Sequence, residues 1–159
     1  MPRKPFYADG IRFQCQGSGN CCTSRGAYGY VYLTLADRQR YAKFFELTTR
    51  EFIKKYCNRK MIGDTEYISL RNPSEMPAEF SESMKGHAEG DCIFLKEKRC
   101  STYEARPEQC RTWPFWPENM SAKVWTKELA EYCPGVGKGK LYSAEEIEVV
   151  LKNPASYAV

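Results

Sequence analysis

The sequence predicts an α+β fold: a small single domain of short strands and helices gathered around a cysteine-ligated metal centre. Three observations carry this prediction. Eight cysteines fall within 159 residues, three of them between Cys15 and Cys22. Several stretches open on a Thr or Ser cap and then repeat apolar residues at helical spacing. Between them lie brief aromatic and β-branched runs, long enough for a strand but not for a large sheet.

The elements follow in chain order. Phe13 to Cys22 is a loop whose small residues let the backbone fold back and aim several sulfurs at one point. Tyr28-Gly29-Tyr30-Val31-Tyr32-Leu33 reads as a strand. Thr34 caps a helix to about Leu47, with Leu35, Arg38, Tyr41, Ala42 and Phe45 on one face. Thr48-Thr49-Arg50-Glu51 is a capping box that starts a second helix from Thr49 to Tyr56, with Cys57 at its end. Glu66 to Leu70 is a short strand, and Asn72 to Gly90, rich in Pro, Ser, Glu and Gly, is a long surface excursion. His87, the only histidine, lies in that excursion and reads as solvated.

Cys92 to Leu95 and Arg99 to Tyr103 form a hairpin whose pairing brings Cys92 and Cys100 toward one end of a site. Glu104 to Arg111 is a short helical turn, with Pro107 tolerable in its first turn. Trp113 to Pro117 is rigid and non-helical. A strand is expected near Lys123 to Thr126, then Cys133-Pro134-Gly135 and a Gly-rich linker, then a last helix over about 143–152 started by Ser143-Ala144-Glu145-Glu146. The whole of 1–159 reads as a single cysteine-cluster metal-binding domain.

Composition narrows the function. A net charge of +4, with basic and acidic residues interspersed, is a solvated surface and gives no nucleic-acid footprint. The basic amino terminus is followed by no apolar segment, and the apolar stretch near Tyr28 to Ala36 is too short for a bilayer. The reading is therefore cytoplasmic, with no membrane association. In a reducing compartment clustered cysteines favour metal or redox chemistry over disulfides, although an even count fits a disulfide framework equally well. No nucleophile elbow, phosphate loop or Cys–His pair is present, and Gly135 to Lys140 lacks the spacing of a phosphate-binding loop.

Thiolates suit zinc and iron–sulfur clusters, which take four ligands each. The candidate ligands are Cys15, Cys21, Cys22, Cys57, Cys92, Cys100, Cys110 and Cys133. Their spacing matches neither a zinc ribbon nor a ferredoxin run, so any site is gathered from distant parts of the chain. Four thiolates leave a negative centre that Arg25, Arg99, Arg106 and Arg111, each close to a cysteine, can offset. Tyr103, Trp113 and Trp116 are either a shield for the site or ordinary core.

Phe13-Gln14-Cys15 through Cys21-Cys22, Cys92-Ile93-Phe94-Leu95, Cys100-Ser101-Thr102-Tyr103, Arg106-Pro107 and Cys110-Arg111 with Pro114-Phe115 together resemble the YkgJ-type cysteine-cluster proteins, which are zinc- or iron-chelating domains. The resemblance spans about 13–135. It implies metal ligation by Cys15, Cys21, Cys22, Cys92, Cys100 and Cys110, with Cys133 a further member. A related cluster in flagellin lysine methylases is taken to hold an iron–sulfur centre. This sequence departs from the C-x-x-C-x-x-C-C form, because Ser18 stands where the second cysteine would be. Cys57 is the candidate to fill that place.

The expected function is a cytoplasmic metalloprotein that binds an iron–sulfur cluster, a 4Fe-4S cubane, with an electron-transfer or enzyme-accessory role and a protein or redox partner. The alternative is a zinc-stabilised protein-interaction module without catalytic activity, with Trp113 to Pro117 as a contact surface. An enzyme, by analogy with the methylases, is a third reading, and whether the chain catalyses anything stays open here.

Overall fold

A computed structural model describes residues 3–16, 30–152, 157 and 159. The fold is α+β, built of short helices and two-stranded antiparallel sheets. It divides into two compact units: one from residues 30–111 with 157 and 159, the other from both flanking stretches, 3–16 and 112–152.

The first unit is organised by capped helices. Helix α1 (Leu35–Phe44) begins at Thr34, whose hydroxyl accepts the Asp37 N–H at 3.0 Å while the Asp37 carboxylate accepts the Thr34 N–H at 2.9 Å. Helix α2 (Thr49–Tyr56) has the expected capping box between Thr48 and Glu51. Each such cap satisfies two amides that the helix itself cannot. The buried face of α1 carries Asp37, Arg38, Tyr41 and Ala42; Leu35, expected on that face, is 56% exposed in the first turn of the helix.

Cys57 ends α2 and opens β2 (Cys57–Ile62), an unexpected strand that pairs with β3 (Thr65–Leu70) in register Cys57↔Leu70 to Ile62↔Thr65. The expected strand before α1 is only an edge. Residues 28 and 29 lie outside the described residues, and Tyr32 makes an isolated bridge to Ser69, supported by Leu33 N–H to the Ile68 carbonyl and Leu70 N–H to the Val31 carbonyl, each 2.9 Å. Side chains packed between the helices and this sheet form an aromatic core. Tyr41 stacks on Phe52 at 5.1 Å and lies 5.2 Å from Phe94, and Phe45 and Tyr56 extend the stack.

The excursion after β3 is pinned more firmly than its composition suggests. Two short 3-10 turns, Pro73–Glu75 and Ala78–Phe80, interrupt it, and Phe80 sits 5.4 Å from Tyr56. His87 is not simply solvated: its Nε2 donates to the Leu95 carbonyl at 2.7 Å. This bond fastens the excursion to strand β4 (Leu95–Lys96), which pairs with β5 (Arg99–Cys100). The unit's last element is the one-turn helix α3 (Glu108–Arg111).

The second unit departs most from expectation. The unexpected strand β1 (Ile11–Phe13) pairs with β6 (Val136–Tyr142), which occupies the supposed linker. Residues 137–140 loop out between the Arg12↔Leu141 and Phe13↔Val136 pairs. The expected strand at 123–126 is helical over 122–132, and Val124–Leu129 is wound as a π-helix leading into α4 (Ala130–Tyr132). Trp125 and Leu129 are both buried one turn apart, and Trp125 stacks on Phe115 at 5.7 Å, which an alternating strand would not achieve. Helix α5 (Ala144–Lys152) starts at the Ser143–Glu146 capping box as expected.

Phe52 is fully buried and contacts Tyr41, Phe45 and Tyr56. Phe52→Ala is expected to destabilise the protein by about 3–5 kcal/mol, read as a lower urea midpoint, because the stack cannot collapse around so large a cavity.

Candidate metal centre

The six described cysteines are thiols, and burial separates one of them from the rest. Cys57 is 4% exposed, inside the core cluster with Phe52, Ile68 and Leu70. Burial pushes its thiol up to about 12, against the opposing pull of the Arg71, Arg38 and Arg59 guanidiniums. Cys15, Cys92, Cys100, Cys110 and Cys133 are half-buried.

In the 30–111 unit the hairpin supplies two thiols. Cys100 lies opposite Leu95, and the Leu95 N–H bonds back to the Cys92 carbonyl at 3.0 Å. The turn between them places both Glu97 (φ 50°) and Lys98 (φ 64°) in the left-handed region that two-residue hairpins require. After Cys100 the chain reaches Thr102, which is 1% exposed. Its hydroxyl lies 3.6 Å from the Cys100 sulfur and 3.5 Å from the Tyr41 hydroxyl.

Cys110 arrives from the opposite direction on α3, and α1 holds that helix. The Asp37 carboxylate accepts the Glu108 N–H at 3.0 Å, and Arg40 Nη1 donates to the Arg106 carbonyl at 3.0 Å. Burial raises the Tyr41 hydroxyl's pKa well above the usual tyrosine range, and the nearby Cys92, Cys110 and Cys100 push it the same way against the Thr102 hydrogen bond. Three cysteines from two chain segments therefore lie close enough to one tyrosine to act on its hydroxyl. Tyr157 stands near Cys110 as well: burial, with Asp37, Glu108 and Cys110, raises its hydroxyl to about 12.

Among the described residues no three Cys, His, Asp or Glu side chains stand together as a metal site. Cys21, Cys22, Ser18 and Arg25 lie outside the described residues. The donors that are described suit a thiophilic metal in chemistry and in partial burial. Arg106 and Arg111 make contacts within the turn that carries them. Arg106 lies over the Tyr103 ring at 3.8 Å and donates to the Tyr103 carbonyl, while Arg111 donates to the Arg106 and Glu104 carbonyls at 2.7 and 3.2 Å. Both brace the turn between Cys100 and Cys110.

The other unit holds its own pair. Gln14 N–H bonds the Gly135 carbonyl at 3.1 Å, extending the Phe13↔Val136 pairing and carrying Cys15 and Cys133 to the same end of the ladder. Both pack against the Phe13, Phe115 and Trp125 cluster. Gly135 is required for the approach, since a Cβ there would run into the Gln14 carbonyl oxygen. Helix α4 ends directly before Cys133, whose N–H bonds the Leu129 carbonyl at 2.7 Å. Trp113 and Trp116 pack edge-on to one another at 4.8 Å, and Trp116 donates to Thr112.

The family described as "Putative zinc- or iron-chelating domain", CxxCxxCC, matches residues 14–134. The chain belongs to this family. Its own version of the CxxCxxCC motif runs Cys15, Ser18, Cys21, Cys22, with serine in the second place. A protein of Methanocaldococcus jannaschii, described as uncharacterized, is 26% identical over 160 residues, covering 92% of this chain and 72% of the relative. No solved structure matches the chain.

Sequence reasoning passed over Tyr41, Thr102, Asp37, Arg40 and Gln109. Tyr41 reads as one more apolar helix position, and nothing in the sequence marks which residues meet across 61 positions, as Tyr41 and Thr102 do. Asp37 stands three residues after Thr34, the spacing of a capping box, but nothing in the sequence marks its second bond, to α3.

Two outcomes are expected. Cys57 has a folded pKa above its ordinary value near 9, so its stabilising contribution is complete below that pH and is lost as the pH rises toward about 12. The fall in urea midpoint between pH 9 and 11 should be smaller in Cys57→Ala. Gly135→Ala should cost about 1–3 kcal/mol through overpacking and reduce cross-linking of Cys15 to Cys133 by a short bis-alkylating reagent.

Proposed function

We propose that this CxxCxxCC-family protein is a cytoplasmic iron–sulfur protein, and that Cys92, Cys100 and Cys110 are ligands completed by one cysteine of the Cys21–Cys22 pair. The observation that carries the reading is the gathering of those three thiols around Tyr41 and Thr102. Cys57 is left out of the ligand set, because a protonated thiol in an apolar core is a poor ligand. Cys15 and Cys133 form a separate pair in their own unit, available to a second centre.

Iron–sulfur is favoured over zinc by the surroundings of Cys100. A cluster's potential is set by hydrogen bonds to its sulfurs and by exclusion of water. Thr102 is placed to donate to the Cys100 sulfur, and the Tyr41, Phe45 and Phe94 rings supply a dry wall behind it. A bound cluster would supply one-electron transfer. The residues of the chain bind it through thiolates, hold Cys110 through α3, and keep water from one side. A 4Fe-4S cubane suits four thiolates, and a protein redox partner follows from the electron-transfer role. Among the described residues no helix is long and apolar enough to cross a membrane.

Protein purified without oxygen is expected to be brown, to contain iron and sulfide, and to bleach on reduction. Cys110→Ser should lose most of the iron, whereas Cys57→Ala should keep it. Zinc alone in a colourless sample would overturn the cluster in favour of a zinc-stabilised interaction module. A folded protein with neither metal would overturn both.

A further inference from the structure

Arg38 is a buried cation without an ion-pair partner among the described residues. It is 7% exposed, on the inward face of α1. Its Nε donates to the Thr34 carbonyl at 3.2 Å, which orients the guanidinium and leaves over the edge formed by Nη1 and Nη2. Among the described residues the ion pairs all belong to other side chains. Burying a charge is costly unless it is paired, so an arginine in this place calls for an anion.

The chain's own acidic groups do not supply one. Asp37 and Glu66 are the carboxylates near enough to act on Arg38. Asp37 pairs with Arg40 at 3.1 Å and Glu66 with Arg59 at 2.6 Å, so each already has a guanidinium. Cys57 is also near, but its thiol, pushed up to about 12, carries no charge at neutral pH. Residues 1–2, 17–29, 153–156 and 158, which lie outside the described ones, include no Asp or Glu. One positive charge is left over.

Arg59 stands beside it. In β2 the side chains of Cys57 and Arg59 share a face, and Cys57 packs there in one core with Tyr41 and Ala42 of α1. Burial lowers the pKa of the Arg38 guanidinium, and the charge of Arg59 pushes it the same way. Arg59 gives one N–H to Glu66 and keeps further donors on a side chain that is 61% exposed. An anion shared by the two guanidiniums would relieve both their repulsion and the unpaired charge.

The Nη1–Nη2 edge of a guanidinium presents two parallel N–H groups, which match two oxygens on one centre. We propose that Arg38 of α1, with Arg59 of β2 beside it, forms a binding site for an oxyanion of that shape, a phosphate or carboxylate group. Arg38 supplies the oriented fork and Arg59 the outer charge that draws the ion in. The site uses no sulfur and does not depend on the metal reading above.

The test follows the Tm of the full-length protein, as purified, in sodium phosphate or sodium acetate against sodium chloride of equal ionic strength. The anion that fits should raise the Tm by about 3–6 °C at about ten times its Kd, and which of the two does so identifies the group. Arg38→Gln should weaken that anion about 10- to 100-fold, because hydrogen bonds from a charged group are lost. Arg59→Gln, on an exposed side chain, should weaken it about 2- to 5-fold. A Tm that rises no further in either salt than in chloride overturns the site and leaves Arg38 a guanidinium tipped into water. An equal response in Arg38→Gln and wild type overturns it too, since the anion then binds elsewhere. Should Arg38→Gln fail to fold, equilibrium dialysis of labelled phosphate and labelled acetate decides. Uptake of about one equivalent by wild type, weakened in Arg59→Gln, supports the site; no uptake, or uptake unchanged in Arg59→Gln, overturns it.

Discussion

One buried carboxylate joins the first helix to the candidate centre. Asp37 is 1% exposed, so its carboxyl oxygens must find donors within the protein. It finds the Thr34 amide, the Glu108 amide and the Arg40 guanidinium. Hydrogen bonds to a charged group contribute about 1.5–3 kcal/mol each, and here one of them starts α1 while another starts α3. The same side chain therefore sets where the first helix begins and where Cys110 is delivered. Arg40, turned between Asp37 and the Arg106 carbonyl, repeats the connection with opposite charge.

Around that joint the two kinds of thiol are separated by environment alone. Cys57 lies among aromatic and aliphatic side chains, which push its thiol up; Cys92, Cys100 and Cys110 are half-buried, Cys92 against the same core and Cys100 beside the Thr102 hydroxyl. An apolar core makes an inert thiol. The aromatic stack has two functions in this arrangement. It stabilises the 30–111 unit, and its Tyr41 end forms the surface about which the thiols gather.

Much of this was legible from the sequence where the chemistry is local. The helix starts at Thr34, Thr48 and Ser143 are written in caps a few residues long, and the β4–β5 hairpin is marked by its polar turn. The cysteines announce themselves by type. Legibility fails where partners are distant. Lys123 to Thr126 alternates like a strand, but Trp125 needs Phe115 to be understood as a helical residue. Gly135 to Lys140 reads as a linker by composition, yet Gly135 is glycine because Gln14 approaches it from the far end of the chain. Cys57 shares a letter with the other thiols, and only the residues around it decide its state. Gln109 is an ordinary polar residue until its side-chain amide meets the Tyr32 N–H and the Tyr30 carbonyl.

The division of the chain has a bearing on how it is made. The 30–111 unit is assembled largely from neighbours in sequence, with hairpins and capped helices that close as soon as they emerge. Its companion is discontinuous: β1 finds its partner only in β6, and Arg12 bonds a carbonyl 127 positions later. During synthesis β1 therefore leaves the ribosome unpaired, with an exposed strand edge beside Cys15, until the C-terminal stretch follows. The 30–111 stretch can form throughout that interval, and only residues 157 and 159 join it later. The order of translation thus delivers Cys92, Cys100 and Cys110 before Cys133 can be brought to the same end of the ladder as Cys15.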